Sequence, residues 1–197
     1  MNGASMTETA PHRRGAPGEL RRYIPVPDAE ANLSADIAEL IMADHRRIRR
    51  LCSAVYDAAR PGGHSDPDWM LGHVWQRLAD LLIAHTQAEE ETCYESMSAT
   101  GARATGRMRD PIADHEDIRK LIGEAALHPV GSAPWWHAVS TVIEDSTEHH
   151  EREERDILPR YVNGLALSRR KELGRQWCAF MAAWRRDAPL RTVRQLP

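Results

Sequence analysis

The sequence predicts an all-α protein, an up-down-up-down four-helix bundle with an extra C-terminal helix. Three observations carry that prediction. Apolar residues recur at spacings of three and four through five long segments, the period of a helix face rather than the period of two of a half-buried strand. Helix-breaking clusters fall between those segments, at Pro61-Gly62-Gly63, Gly101 to Gly106, Pro129 to Gly131 and Asn163-Gly164. The third observation is an internal repeat: Ala43-Asp44-His45-Arg46-Arg47-Ile48-Arg49-Arg50-Leu51 in the first segment is matched by Ala113-Asp114-His115-Glu116-Asp117-Ile118-Arg119-Lys120-Leu121 in the third. Two similar helical hairpins packed together make a four-helix bundle.

Residues 1–33 are rich in Gly, Pro and Arg and have no apolar period, so they read as a flexible or extended N-terminal arm. Docking of that arm through Tyr23, Ile24 and Val26, held extended by Pro25 and Pro27, is the alternative. The bundle is assigned to residues 34–163. Its first helix starts with Ser34 as N-cap, runs to about Arg60, and carries Ile37, Ile41, His45, Ile48, Cys52 and Val55 on one face. The second runs from Asp66-Pro67 to about Ser98, with Leu71, Trp75, Leu78, Leu82, His85 and Glu89 on its face. A third, from about Met108 to Leu127, aligns Ile112, His115, Ile118, Ile122 and Ala125. The fourth, Pro134 to Tyr161, aligns Trp135, Val139, Val142, His149 and Glu153, and Pro159 should bend its last turns. Residues 164–197 form a C-terminal helix and tail packing on the bundle, the helix spanning Ser168 to Arg186 with Leu173, Trp177, Phe180, Met181 and Trp184 as its apolar face.

A chain of 197 residues, 42% of them hydrophobic, supports one sizeable core rather than two domains. A net charge of -3 excludes a general bias toward nucleic acid or membrane surfaces. Three irregularly spaced cysteines give no disulfide framework and read as small core residues. With no signal-peptide core and no run long enough to span a bilayer, the reading is a soluble cytoplasmic protein, monomeric or homodimeric.

The chemistry lies in two matching stretches. His85-Thr86-Gln87-Ala88-Glu89 and His149-His150-Glu151-Arg152-Glu153 each set an imidazole and a carboxylate four residues apart, one helical turn, so both can aim at one point. One such spacing is common by chance. Four histidines facing inward on four successive helices, His45, His85, His115 and His149, with Glu89 and Glu153 one turn on, are different. Left without a ligand, these six polar groups would each cost on the order of 1 to 3 kcal/mol of desolvation. A metal removes that cost and couples its binding to folding. A second register, His150 with Glu154, has the same spacing and meets Trp136 and Ile143 along the helix, so periodicity leaves both open. His73 and His137 are out of phase with the ligand level. Tyr56 is too far along its helix, and the acid runs Glu89 to Glu91 and Glu151 to Glu154 read as solvated beyond the two ligands. Asp44 and Asp114 are either partners of the ligand histidines or surface acids.

A His, a His-x-x-x-Glu, a His and a second His-x-x-x-Glu on four helices resembles the hemerythrin-like, or HHE cation-binding, family over roughly residues 34–163. The resemblance implies a non-haem di-iron centre, oxo- or hydroxo-bridged, with His45, His85, His115 and His149 as terminal ligands and Glu89 and Glu153 bridging. Zinc is the lesser alternative. The family's spacing from ligand His to a following Pro matches His149 with Pro159, which favours His149/Glu153 and leaves His150 a neighbouring polar residue. The family's oxygen carriers have a second His where this chain has Arg119. A set of four histidines rather than five therefore points away from oxygen carriage and toward reaction with peroxide or O2, such as catalase-like disproportionation. Two other readings remain, a protein that binds or senses O2, NO or iron without turnover, and a di-iron oxidase acting on an organic substrate.

Overall fold

The computed structural model describes residues 35–60, 67–94 and 111–187, and every regular element among them is helical. Helix α1 is Ile37–Ala58, α2 Pro67–Thr92, α3 Pro111–Ala125 and α4 Ala133–Arg152. A five-residue π-helical turn, Glu153–Ile157, then leads into a short α5, Leu158–Gly164, and a long α6, Leu167–Asp187. Helix α1 packs along α2, α3 packs along α4, and α6 lies against α1 and α2. None of these helices is long and apolar enough to cross a membrane. The N-terminal arm, Ser34, the predicted end of the second helix and the predicted start of the third lie outside the described residues, and the third ends at Ala125, two residues before the expected Leu127.

The observed N-cap of α1 is Asp36, whose carboxylate accepts from the Ala38 backbone N–H at 3.0 Å. The expected cap, Ser34, is two residues too early: an extended Asp36 with a short acid side chain serves better, because its charge also favours the positive helix end. At α4 the Ser132 hydroxyl accepts from Trp135 N–H, and Pro134 occupies the first turn, where a missing N–H costs nothing.

The fourth helix departs most from expectation. It is not one helix bent at Pro159; the distortion begins six residues earlier, at Glu153. Pro159 has no N–H, and in an α-helix its ring would collide with the carbonyl of Arg155. The chain widens first instead, with the Leu158 N–H bonding Glu153 C=O five residues back. The extra residue in that turn keeps Glu153, Ile157, Leu158 and Tyr161 all buried while Pro159 faces solvent. Such widened turns are rare and concentrate at functional sites.

Two apolar clusters fill the interior. One joins Ile48 and Val55 of α1 with Trp75 and Leu78 of α2, Ile118 and Ile122 of α3, and Trp135 and Val142 of α4. The other joins Ile37 and Ile41 of α1, Ala84 and Ala88 of α2, Ile157 and Tyr161, and Leu173, Trp177 and Met181 of α6. His45, His85 and His115 fall between residues packed in the two clusters, and His149 and His150 fall between Ile143 of α4 and Ile157 of the π-turn, so the polar layer has apolar packing on both sides.

Candidate metal centre

Seven ionisable side chains meet in that layer: His45, His85, Glu89, His115, His149, His150 and Glu153, none more than 1% exposed. The helix period that aligned them in sequence places them here. Glu89 spreads its two oxygens, Oε1 lying 3.4 Å from His85 Nε2 and Oε2 3.4 Å from His115 Nε2. Glu153 Oε2 lies 3.4 Å from His45 Nε2 and 3.5 Å from His149 Nε2. Each carboxylate thus stands between a nitrogen of one hairpin and a nitrogen of the other. His115 Nε2 and His149 Nε2 are 2.9 Å apart. The donors fall into two sets around this pair of acids: His45, His85 and His150 on one side, His115 and His149 on the other.

Hydrogen bonding identifies what the layer is for. His45 Nε2, both nitrogens of His85 and His150, and all four oxygens of Glu89 and Glu153 are buried without a hydrogen-bond partner. Native cores hold few such atoms, and here they concentrate in one place with their lone pairs converging. A cation satisfies all of them except the remote nitrogens of His85 and His150. The site residues fit bound metal cations.

His150 corrects the sequence reading, which made it a neighbouring polar residue and treated the two registers as exclusive. Adjacent helical residues are about 100° apart, and His149 and His150 straddle the midline of the buried face of α4, one leaning to each side of Glu153. Glu154, the acid of the alternative register, is not in the layer. It accepts from His45 Nδ1 at 2.9 Å and from Arg49 at 2.8 Å.

That contact belongs to a ring the sequence reading missed. Glu90 accepts from His115 Nδ1 at 2.9 Å and from Arg119 at 2.8 Å, repeating the Glu154 arrangement in the other hairpin. Asp114 faces His149 Nδ1 at 3.3 Å and accepts from Arg152 at 2.7 Å. Three of the five histidines are therefore held by a carboxylate that an arginine holds in turn, leaving Nε2 turned toward the centre. The signal was present: each ligand Glu is followed by a second Glu, and each Ala-Asp-His is followed four residues on by Arg. Those acids are therefore not solvated bystanders. Asp44 breaks the symmetry by pairing with Arg47 instead. His73 and His137 are exposed, as their phase predicts, and Tyr56 stacks on Trp136 away from the layer. Glu90→Gln keeps the shape but removes the charge behind His115. A loss of metal affinity of about 10- to 100-fold is expected, read by competition against a chelator, whereas an unchanged affinity would mean that the ring is only packing.

The electrostatics suit a site waiting for positive charge. Burial, and then the nearby Glu153, push Glu89 well above the usual carboxylate range. Burial acts on Glu153 too, but His149 and His45 outweigh it and hold that acid below its ordinary value. Of the two acids, Glu89 keeps its proton to higher pH than Glu153. Burial, then the neighbouring imidazoles, hold His85 and His150 well below the usual histidine range.

These shifts give stability a direction in pH. Unfolded, His85 and His150 take up protons near their ordinary value of about 6.5; folded, only at lower pH. Their contribution is complete above about 6.5 and is lost as pH falls toward the folded values. His45 is raised, since Glu153 and Glu154 overcome its burial, so its contribution is lost as pH rises. Raised Glu89 acts in that same opposite sense above its usual range. Between about pH 6.5 and 5 His45 is protonated in both states, so His85 and His150 act against Glu89 alone and the metal-free protein should weaken. Denaturant unfolding in chelator measures this; constant or rising stability on acidification contradicts it.

The fold and this layer define a metal-binding helical-bundle protein whose donors are imidazoles and carboxylates. A family model for the hemerythrin HHE cation-binding domain matches residues 36–161, and the chain belongs to that family. Comparison with curated proteins and with solved structures returned no match.

Proposed function

We propose that the centre holds two iron ions, in an up-down-up-down bundle formed by α1 to α4, and that the protein reacts with peroxide or O2, as in catalase-like disproportionation. The observation that carries this is the pair of carboxylates, Glu89 and Glu153, each between nitrogens from opposite hairpins. His45, His85 and His150 would hold one ion and His115 and His149 the other, with both acids shared. Mixed imidazole and carboxylate donors suit iron, and zinc less so at this nuclearity. When bound, such a pair supplies Lewis acidity and reversible one-electron exchange for cycling peroxide to water and O2. The chain's own contribution is to set the donors, keep Nδ1 protons on His45, His115 and His149 through their carboxylates, and exclude bulk water with the two apolar clusters. A groove of about 670 Å³ lined by Met42, Glu154, Leu158 and Val162 lies outside the layer, whose own side chains are almost fully buried. That enclosure favours a diatomic or peroxide over an organic substrate. The free thiols of Cys52, Cys93 and Cys178 suit the reducing cytoplasm.

One observation favours the second reading, binding or sensing of O2 or NO without turnover. With His150 in the layer the nitrogen count is five, the same number as in oxygen carriers, and the argument from a four-histidine set falls. Iron per chain, the visible spectrum and oxygen evolution on adding peroxide decide the matter. Two irons with peroxide turnover support catalysis; two irons with a reversible O2 or NO adduct and no turnover select binding; fewer than two irons overturn the di-iron assignment.

A further inference from the structure

The groove outside the layer runs between α1 and α5, with Met42 of α1 and Leu158 and Val162 of α5 as its apolar walls. Glu39 and Arg46 also line it, seven residues and so about 10 Å apart along α1. Both are exposed, and neither is in an ion pair with any described residue. An acid at one end, a base at the other and apolar walls between them match an extended segment of the reverse charge order. The chain carries such a segment in Arg21-Arg22-Tyr23-Ile24-Pro25-Val26-Pro27-Asp28. Its two prolines favour extended backbone, which at about 3.1 Å per residue sets Arg22 and Asp28 about 19 Å apart, and the long arginine and glutamate side chains close the difference.

Position in the chain favours the same occupant. Residues 1–34 lie outside the described residues, and the chain enters the described structure at Ala35, next to Asp36, which itself lines the groove. With Arg22 at Glu39 and Asp28 at Arg46, the segment lies parallel to α1 and residues 28–34 return from the Arg46 end to Ala35. The return covers about 16 Å, eleven residues of helical rise, and seven extended residues reach about 23 Å. We propose that residues 21–28 dock in this groove, with Tyr23, Ile24 and Val26 against Met42, Leu158 and Val162. So short a tether gives a local concentration on the order of millimolar, above that of a second copy or a free partner, so modest contacts suffice. Two groove residues connect this surface to the centre. Glu154 accepts from His45 Nδ1, and the Leu158 N–H bonds Glu153 C=O in the π-turn. Resting on the metal-binding reading above, the docked segment keeps water from Glu154, fixes the turn that carries Glu153, and so slows metal release.

The test uses the full chain with p-benzoylphenylalanine in place of Tyr23, illuminated with and without iron, the crosslinked residue being found by mass spectrometry. The expected product has the mass of one chain and joins position 23 to Met42, Leu158 or Val162. Ile24→Asp should cut its yield about tenfold or more, the loss from one buried aliphatic side chain. Arg22→Glu should cut it about two- to fivefold, the range of one exposed ion pair, and Glu39→Arg in the same chain should restore it. A product of two chains joined through the groove gives the surface to a second copy and overturns the proposal. Crosslinks elsewhere, or a yield that neither substitution lowers, overturn it too. The link to the centre is read separately, as faster loss of iron to a chelator in Ile24→Asp. An unchanged rate with the crosslink lost overturns that link. The crosslink in metal-free protein stands or falls without the metal reading, and a chain that binds no metal overturns that reading alone.

Discussion

Glu153→Gln is expected to hold fewer than two metal ions per chain and to lose the stabilisation that metal gives the parent protein. The substitution keeps the volume of the side chain and removes one negative charge from a layer where five imidazoles offer none. Glu153 Oε2 is the shared neighbour of His45 Nε2 and His149 Nε2, so both halves lose an anion at once. A metal present at about a thousand times its dissociation constant stabilises the folded state by about 4 kcal/mol, and an affinity loss of about a thousandfold cancels that gain. The metal-free protein should weaken as well, by a smaller amount, because His149 and His45 hold the Glu153 charge favourably and Gln gives that pairing up. Metal analysis together with thermal unfolding, with and without iron, measures both. A variant that keeps two ions and the full metal-dependent rise in melting temperature would show that Glu153 is not a ligand.

What was legible in the sequence follows from what a helix period can encode. His45, His85, Glu89, His115, His149 and Glu153 share the buried face of their helices because spacings of three and four are rigid, and the structure brings all six together. His150 escaped because one-face reasoning forces a choice between neighbours. The layer is broad enough to accept both, one on each side of Glu153. Glu90 and Glu154 read as solvated because both are partly exposed at the helix flank, and their partners, His115 and His45, are on other helices. Only packing shows which acid reaches which imidazole. The π-turn was beyond reach for a different reason. Pro159 announces a disturbance, but where the chain absorbs it depends on which backbone carbonyls the neighbouring helices allow to shift. The cap at Asp36 rather than Ser34 was a choice between two good capping residues that local propensity does not rank.

Gly174→Ala should destabilise the protein by about 2 kcal/mol or more, although the same change in an ordinary helix interior is favourable. Gly174 lies in α6 where that helix crosses the start of α1. A Cβ built there would overlap the Ala35 carbonyl oxygen and stand 3.4 Å from the Ile37 amide nitrogen. Both are backbone atoms of the turn that begins α1, so no side-chain rotation relieves the overlap. Replacing Gly by Ala gains about 1 kcal/mol of helix propensity, and overpacking costs about 1 to 3 kcal/mol or more. A contact this short against backbone belongs at the upper end, so the cost wins. The consequence reaches the centre, because α6 carries Leu173, Trp177 and Met181 into the apolar cluster beside it, and the Trp177 ring sits edge-on to His85 at 5.5 Å. Lifting α6 admits water next to a ligand histidine. Chemical denaturation gives the stability change, and Trp fluorescence with the rate of metal loss to a chelator reports the opening. A variant more stable by about 1 kcal/mol would mean that α6 does not sit this close to α1.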